Sequence, residues 1–432
     1  MLSLIIKNGD KMQIKLKISG ISLAIGPTII CAYLLFPFIS NGSFSSILHL
    51  AVQGILVLYI IKNLGLISSA INQNHQNKKI LFILSLELIV IALLSVLFPL
   101  VHGTNDFSYL TRYYRNSFSW FTHFLCIFII AYKQNKNAPM DEFMKIYIRC
   151  CVWYVLFSSI MIFIPSVKNI VISVVRLSDY QKNLLIYSRN ATRIGWSGFT
   201  GYDGAMKCCV GAVFLLYQMS KSGNYKSIGL WLNLLLLLLG NFYYARTGVV
   251  AFVGLVFFFV VYMTIQRGQI KLFFRVAIIV LLVGFATYFV IIQYASQKAN
   301  IAWMTGYITK LVTTKSIETE SLPSYIKLPT NQFLFGIGRY SIPVTDPLYT
   351  DAGPMRLIYM FGILGTVFCY CVFLKALEGI RRAFSENAML LSIMFIISFA
   401  IFEYKGEAIG FFLAVIIPFL MFSIFYEESK IA

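Results

Sequence analysis

Long apolar runs alternate with short polar connectors along the whole chain. The runs are about 20 residues long and show no period-two alternation, so they predict bilayer-crossing helices rather than strands. About twelve spans follow, over residues 18–38, 46–66, 80–101, 116–132, 147–166, 202–219, 227–244, 247–266, 272–293, 353–376, 386–402 and 408–426. The connectors "NHQNKK", "YKQNKNAPMDEFMK", "KSGNYK", "QRGQIKLFFR" and "LEGIRR" are short and basic, whereas "SNGSFSS" and "EYKGEA" carry little net positive charge. Short loops rich in Lys and Arg stay in the cytoplasm. With the basic tail (Lys7, Lys11, Lys15, Lys17) also inside, the rule holds around the chain and both termini are expected to be cytoplasmic. The expectation is an all-α polytopic membrane protein, residues 1–432 forming a single integral membrane domain. Two outer loops, 167–201 and 294–352, are long, and long loops are uncommon unless they carry function. The second reads as containing helix, from "SQKANIAWMTGYITKLV", before a stretch marked by Pro and Gly.

Composition supports that class. The chain is 59% hydrophobic and 12% charged, against about 25% charged in soluble domains. Its net charge of +19 is accounted for by the loops that hold the topology, so no nucleic-acid partner is expected. All eight cysteines lie in apolar runs, which argues against a disulfide framework or a zinc site. The four histidines, His49, His75, His102 and His123, have no metal-ligand spacing, and no P-loop or dinucleotide fingerprint occurs. Neither a metal nor a cofactor is expected. The N-terminal "MLSLIIKNGDKMQIKLK" lacks a cleavage site and reads as a basic tail on the membrane surface.

The distribution of arginine adds a chemical hint. Of the 36 basic residues, about 20 fall inside and about 15 outside, and Arg makes up about 5 of the first group and about 8 of the second. The outer arginines are Arg112, Arg115, Arg176, Arg189, Arg193, Arg246, Arg339 and Arg356. Arg grips phosphate or carboxylate with a planar fork, unlike Lys. Headgroup contact and snorkelling are the alternative for Arg112, Arg115 and Arg176. Arg246 and Arg356 begin spans that run from outside to inside, so they sit at helix N-termini. A cation gains nothing there from the helix dipole, whereas an anion gains from dipole and arginine together. Thr247 and Gly248 beside Arg246 add a hydroxyl and close backbone access. Ion pairs of Arg246 with Asp203, or Arg356 with Asp351, are the competing explanation.

Three further stretches carry candidate chemistry. "SRNATRIGWSGFTGYDG", residues 188–204, offers arginines, aromatic faces and Asp203, which suits a carbohydrate, although glycines of this kind also serve turns. "FLFGIGRYSIPVTDPLYTDAGPMRLIYMFGILG", residues 333–365, holds Arg339, Asp346, Asp351 and Arg356. Asp351 is a candidate general base there, with helix capping as the alternative. Glu87 falls inside a span, and an acid in that position is a functional candidate.

These features resemble the bacterial O-antigen polymerases (Wzy type), within the superfamily that includes the O-antigen ligases. The resemblance covers the topology: about twelve spans, cytoplasmic termini and two large outer loops, the second before the tenth span. Locally, "ARTGVVAFVG" is similar to the family's helix start, and "LFGIG" with "TDAGPMRLIYMFGILG" to the end of its large loop and the next helix. Arg193 and Gly204 also fit an Arg-x10-Gly spacing described for some members.

The resemblance implies the multi-span lipid-linked glycosyltransferase fold. It implies a metal-independent enzyme joining repeat units carried on undecaprenyl pyrophosphate, which supplies both donor and acceptor, at the periplasmic face of the inner membrane. Arg246, Arg193 and Arg189 would hold the pyrophosphate, with Arg339 and Arg356 lining the site. Asp351 would be the base, with Asp203 as second choice. Membrane lipids and a polysaccharide chain-length regulator are the further partners it implies. The ligases use a histidine in the loop before the tenth span, and residues 294–352 contain none, which favours the polymerase. A lipid-linked sugar flippase or transporter is the alternative class, but such folds show related halves and broken midplane helices, and no half-to-half similarity is visible here.

Overall fold

The computed structural model describes residues 3–5, 15–18, 21–38, 41, 43–75, 77–187, 192–223, 227–268, 330–343, 345–346, 348–384 and 387–423. The expected span 272–293, most of the loop 294–352, and Arg189 lie outside the described residues.

Almost everything described is helical. In chain order the helices are α1 (Ile25–Leu35), α2 (Ser43–Lys62), α3 (Leu64–Gln73), α4 (Lys78–Val101), α5 (Arg115–Gln134), α6 (Pro139–Phe163), α7 (Pro165–Val174), α8 (Asp179–Tyr187), α9 (Tyr202–Ser222), α10 (Ile228–Tyr244), α11 (Arg246–Arg267), α12 (Thr330–Phe335), α13 (Gly353–Ala383), α14 (Ala388–Lys405) and α15 (Ile409–Met421). A π-helical turn, Tyr109–Tyr114, leads into α5. The N-terminal tail contributes β1 (Ser3–Ile5), β2 (Lys15–Ile18) and β3 (Ile21–Ala24), an antiparallel sheet in the order β1-β2-β3 with Leu16 opposite Leu4 and Leu23. The alternation "KLKI" in β2 has the period of a strand. A second, two-stranded sheet pairs β4 (Ile194–Gly195) with β5 (Gly198–Phe199).

Among the described residues, five helices are long and apolar enough to cross a membrane: α4, α6, α11, α13 and α14, or six if Leu50–Lys62 and Leu64–Gln73 count as one span. The others fall short for identifiable reasons. α1, α10 and α15 have 11, 17 and 13 residues, too few at about 1.5 Å per residue to cover a core about 30 Å thick. α9 carries Asp203, Lys207 and Lys221.

Local chemistry explains many boundaries. α6 opens on Pro139, with Asp141 and Glu142 in its first turn complementing the helix dipole. α9 and α11 end at Gly223 and Gly268, both left-handed, φ 63 and 61, where glycine avoids a Cβ penalty.

The chain forms two compact units that interleave in sequence, Met1–Ile60 with Cys126–Ala302, and Ile61–Leu125 with Trp303–Ala432. In the first, α9 packs on α6, α10 and α11 around the fully buried Tyr147, Tyr154, Tyr217 and Tyr244. In the second, α13 is the hub, packing on α4, α12, α14 and α15. All eight cysteines are free, and seven are buried, as small apolar side chains are.

Candidate functional site

In the first unit, three segments that bear sequence-predicted residues converge. The β4–β5 hairpin follows Arg193, whose carbonyl accepts the Thr200 amide at 2.8 Å. The hairpin lies on α6: Tyr154 Oη bonds Ser197 Oγ at 2.5 Å and also Thr200 Oγ1, and a Cβ on Gly195 would overlap the Tyr154 ring. Trp196 stands edge-on to Tyr154 with centroids 4.6 Å apart, and its Nε1 donates to the Phe36 carbonyl at 2.9 Å. Next to Arg193, Thr192 Oγ1 donates to the Tyr243 carbonyl at 3.2 Å, near the end of α10.

α10 stops at Tyr244, Ala245 is extended, and α11 starts at once with Arg246. Gly248 makes the closeness of three helices possible. A Cβ there would overlap Asn241 Oδ1 and come within 2.8 Å of the Ala205 Cβ. The Tyr244 ring, in turn, lies 3.1 Å from where a Cβ on Gly204 would stand. Thus the chain segments carrying Arg193, Asp203 and Arg246 meet where α9 and α11 both begin.

Asp203 is committed to Lys207, one turn on in α9, with Nζ to Oδ2 at 2.5 Å. The ammonium is deeply buried, with the Lys207 side chain 2% exposed against 45% for Asp203, and it sits over the Phe36 ring, 5.0 Å from the centroid. A buried ammonium needs such a partner. Asp203 therefore serves as counter-ion to Lys207, a role the sequence did not reveal. Its other oxygen, Oδ1, is buried with no hydrogen-bond partner among the described residues.

The second unit holds Arg339, Asp351 and Arg356. Arg339 Nη1 faces Asp346 Oδ2 at 3.3 Å. Arg356, in the first turn of α13, donates from Nε to the Thr350 carbonyl at 3.0 Å. Its Nη1 lies 3.3 Å from Glu407 Oε1, and its Nη2 lies 3.7 Å from Asp351 Oδ1. The ion pair with Asp351, the competing reading of Arg356, is thus present, and Glu407 joins it. Asp351 also accepts from Tyr349 Oη at 2.8 Å.

This corner is tight because glycine occupies it. A Cβ on Gly353 would stand 2.5 Å from the Gly406 carbonyl oxygen and 2.7 Å from that of Glu403. Glu403 is spent on structure: Oε2 accepts the Ala408 and Ile409 amides at 2.7 and 3.0 Å, capping α15, while Oε1 accepts from Tyr370 Oη at 3.2 Å. Glu403 and Glu407 went unread because "EYKGEA" looked like a plain outer loop. The signal was two acids flanking a glycine turn between apolar helices.

"LFGIG" also finds a physical role. Inside α13, Gly362 has φ 70 and ψ 178, and the helix breaks there. The Tyr359 carbonyl accepts the amides of Ile337 at 2.7 Å and Arg339 at 3.4 Å. Gly336 fits directly against Gly362, where a Cβ would stand 2.6 Å from the Gly362 nitrogen. Nearby, Asp106 Oδ2 accepts the Tyr340 and Ser341 amides at 2.7 and 2.8 Å, stapling the segment to the turn after α4.

The same unit contains a cavity of about 320 Å³, lined chiefly by apolar side chains of α4, α5 and α15, with Tyr109, Tyr113, Tyr114, Ser85 and Ser117 also in its wall. Glu87, the acid expected within a span, pairs with Lys375 Nζ of α13 at 3.0 Å. Among the described residues no three His, Cys, Asp or Glu side chains gather as metal ligands would.

Fold and site together define a predominantly helical protein with several helices apolar and long enough to cross a membrane, and with arginines at the starts of two of them. Comparison with protein-family models and with curated proteins finds no match.

Proposed function

We propose that the chain is a surface-polysaccharide polymerase of the O-antigen type. It joins undecaprenyl-pyrophosphate-linked repeat units by glycosyl transfer at the periplasmic face of the inner membrane, with both termini in the cytoplasm. The growing chain on its lipid pyrophosphate is the donor, and the terminal sugar of a new lipid-linked unit is the acceptor. Arg246, Arg193 and Arg189 hold the pyrophosphate. The leaving group is already activated, so the protein's task is to stabilise charge developing on the pyrophosphate. Fixed guanidinium groups and helix N-termini supply that stabilisation.

The observation that carries the reading is the meeting of the Arg193 and Arg246 segments at the start of α11, through the Thr192–Tyr243 hydrogen bond and the close seat of Gly248. Asp203 is taken by Lys207 at 2.5 Å, which argues against its serving as the base.

The broken helix α13 favours a second reading, a lipid-linked sugar flippase, because discontinuous helices mark transporter sites. Against it, the carbonyl freed by the break is satisfied by the chain's own Ile337 and Arg339 amides. The two compact units also interleave in sequence rather than dividing it into successive halves.

A deletion strain tests the reading. Loss of polymerisation leaves surface glycolipid capped with single repeat units. Bare glycolipid with polymer accumulating on the lipid carrier would instead indicate a ligase. Absence of any repeat unit outside the cell would indicate a flippase.

A further inference from the structure

The cavity of about 320 Å³ lies wholly within the second unit, and its shape limits what can fill it. Its wall runs along three helical stretches, from Leu81 to Ile91 on α4, from Tyr114 to Phe121 at the start of α5, and from Ile409 to Ile417 on α15. Each stretch covers two to three turns, about 11–15 Å. A space that follows three helices so far is a slot rather than a round pocket. Among the described residues no charged side chain lines it. Two of its phenols are spent on the wall itself: Tyr114 Oη donates to the Leu88 carbonyl at 3.3 Å, and Tyr113 Oη accepts the Gly410 amide. The slot thus offers a guest mainly apolar surface. Gly410 brings α15 tightly against α5, since a Cβ there would overlap Ser117 Oγ.

The slot opens beside Ile89 of α4 and Phe118 of α5, which line it and are also exposed. Phe82, Leu86, Leu93 and Leu97 are exposed with Ile89, at spacings of three and four that keep them on one face of α4. Such a face, on a helix long and apolar enough to cross a membrane, meets hydrocarbon, so a guest enters from the bilayer. One turn before Phe118 stands Arg115, the first residue of α5, and three residues earlier stands Arg112, in the π-helical turn. Both are exposed, and among the described residues neither makes a hydrogen bond or an ion pair. The acids closest in sequence are occupied: Asp106 by Ser108, Tyr340 and Ser341, and Glu87 by Lys375. Two such guanidinium groups beside an apolar slot match a molecule with a phosphate head and a hydrocarbon tail, because arginine grips phosphate at two points. π-helical turns are frequent at functional sites, and this one carries Arg112 together with two of the phenols in the wall.

We propose that this slot binds one anionic phospholipid of the bilayer, with an acyl chain between α4, α5 and α15 and the phosphate held by Arg112 and Arg115. The slot selects an unbranched chain by its narrowness, and the arginines select net negative charge. A zwitterionic lipid with the same chains fills the slot equally well but gains less at the arginines. The site involves the second unit alone and is independent of the polymerase reading. Headgroup contact, one of the two explanations for Arg112 and Arg115 in the sequence, thereby acquires a defined place.

The test uses the full-length protein in detergent, stripped of lipid, with phosphatidylglycerol and phosphatidylcholine of identical acyl chains as probes and native mass spectrometry as the readout. One phosphatidylglycerol should be retained per protein, with phosphatidylcholine bound about 10-fold or more weakly. Replacing both exposed arginines, Arg112→Ala with Arg115→Ala, should bring phosphatidylglycerol down to the level of phosphatidylcholine. A phosphatidylglycerol carrying a diazirine in mid-chain should, on irradiation, mark the peptides that contain Leu84 and Ala414, both in the wall of the slot. Ala414→Phe, which fills the slot, should abolish that mark. Should Ala414→Phe not accumulate, competition decides the same point: unlabelled phosphatidylglycerol should remove the mark at concentrations where phosphatidylcholine does not. Equal retention of the two lipids, retention unchanged by the arginine substitutions, or a mark confined to the exposed face around Phe82 and Leu93 overturns the proposal. So does stronger competition by a polyprenyl phosphate, which would make the guest a lipid carrier, or by inorganic phosphate alone, which would leave the slot without a part.

Discussion

Lys207 and Glu407 show how much a single side chain depends on what surrounds it. Lys207 is charged yet 2% exposed, so removing its counter-ion leaves an unpaired ammonium in an apolar setting. Asp203→Ala should therefore destabilise the protein by about 3 kcal/mol, read as a lower thermal midpoint in detergent. Adding Lys207→Met should recover most of that loss, because the two effects share one interaction. Glu407 gives a pH dependence of definite sign. Burial raises its carboxyl from the ordinary 4.5 to about 8 in the folded protein, so the folded state holds the proton more tightly than the unfolded one. That contribution to stability is complete below about 4.5 and is lost as pH rises through about 8. The thermal midpoint should fall from about pH 4.5 to about pH 8 in wild type, and by less in Glu407→Gln.

At the scale of elements, the apolar pattern gave most of the helices and the glycines decide how they meet. The expected starts at 202, 227, 247 and 353 lie within a residue of the observed Tyr202, Ile228, Arg246 and Gly353. These boundaries were legible because each coincides with the onset of an apolar run. The break at Gly362 was not legible, because it depends on a partner, Gly336, that lies 26 positions earlier by the numbering. Neither was the hairpin's seat on Tyr154, nor the Lys207–Asp203 pairing, since each is settled by packing. Gly362→Ala should cost about 1–3 kcal/mol from its φ alone, and more because its Cβ would overlap the Leu334 carbonyl. The check is a lower unfolding midpoint, with Gly336→Ala producing a loss of the same kind. A substitution at the exposed Leu364, two residues on, should leave the midpoint unchanged.

For the whole molecule, topology and chemistry are linked. The catalytic reading requires α11 to begin, at Arg246, on the periplasmic side of the membrane. Single cysteines introduced into a cysteine-free background test this. A membrane-impermeant maleimide should label Ser341→Cys in intact cells and should label Gly268→Cys only after permeabilisation. Labelling in the reverse order would place Arg246 in the cytoplasm and remove it from a periplasmic substrate.

The most direct test of the central claim is reconstitution of the purified protein with undecaprenyl-pyrophosphate-linked repeat units and separation of the products by length. Wild type should yield a series of chains of increasing repeat number. Arg246→Ala, present at the same level, should yield single units, and Arg246→Lys should not restore the series, because an ammonium lacks the two-point grip of a guanidinium. A normal series from Arg246→Ala, or none from wild type, would contradict the account.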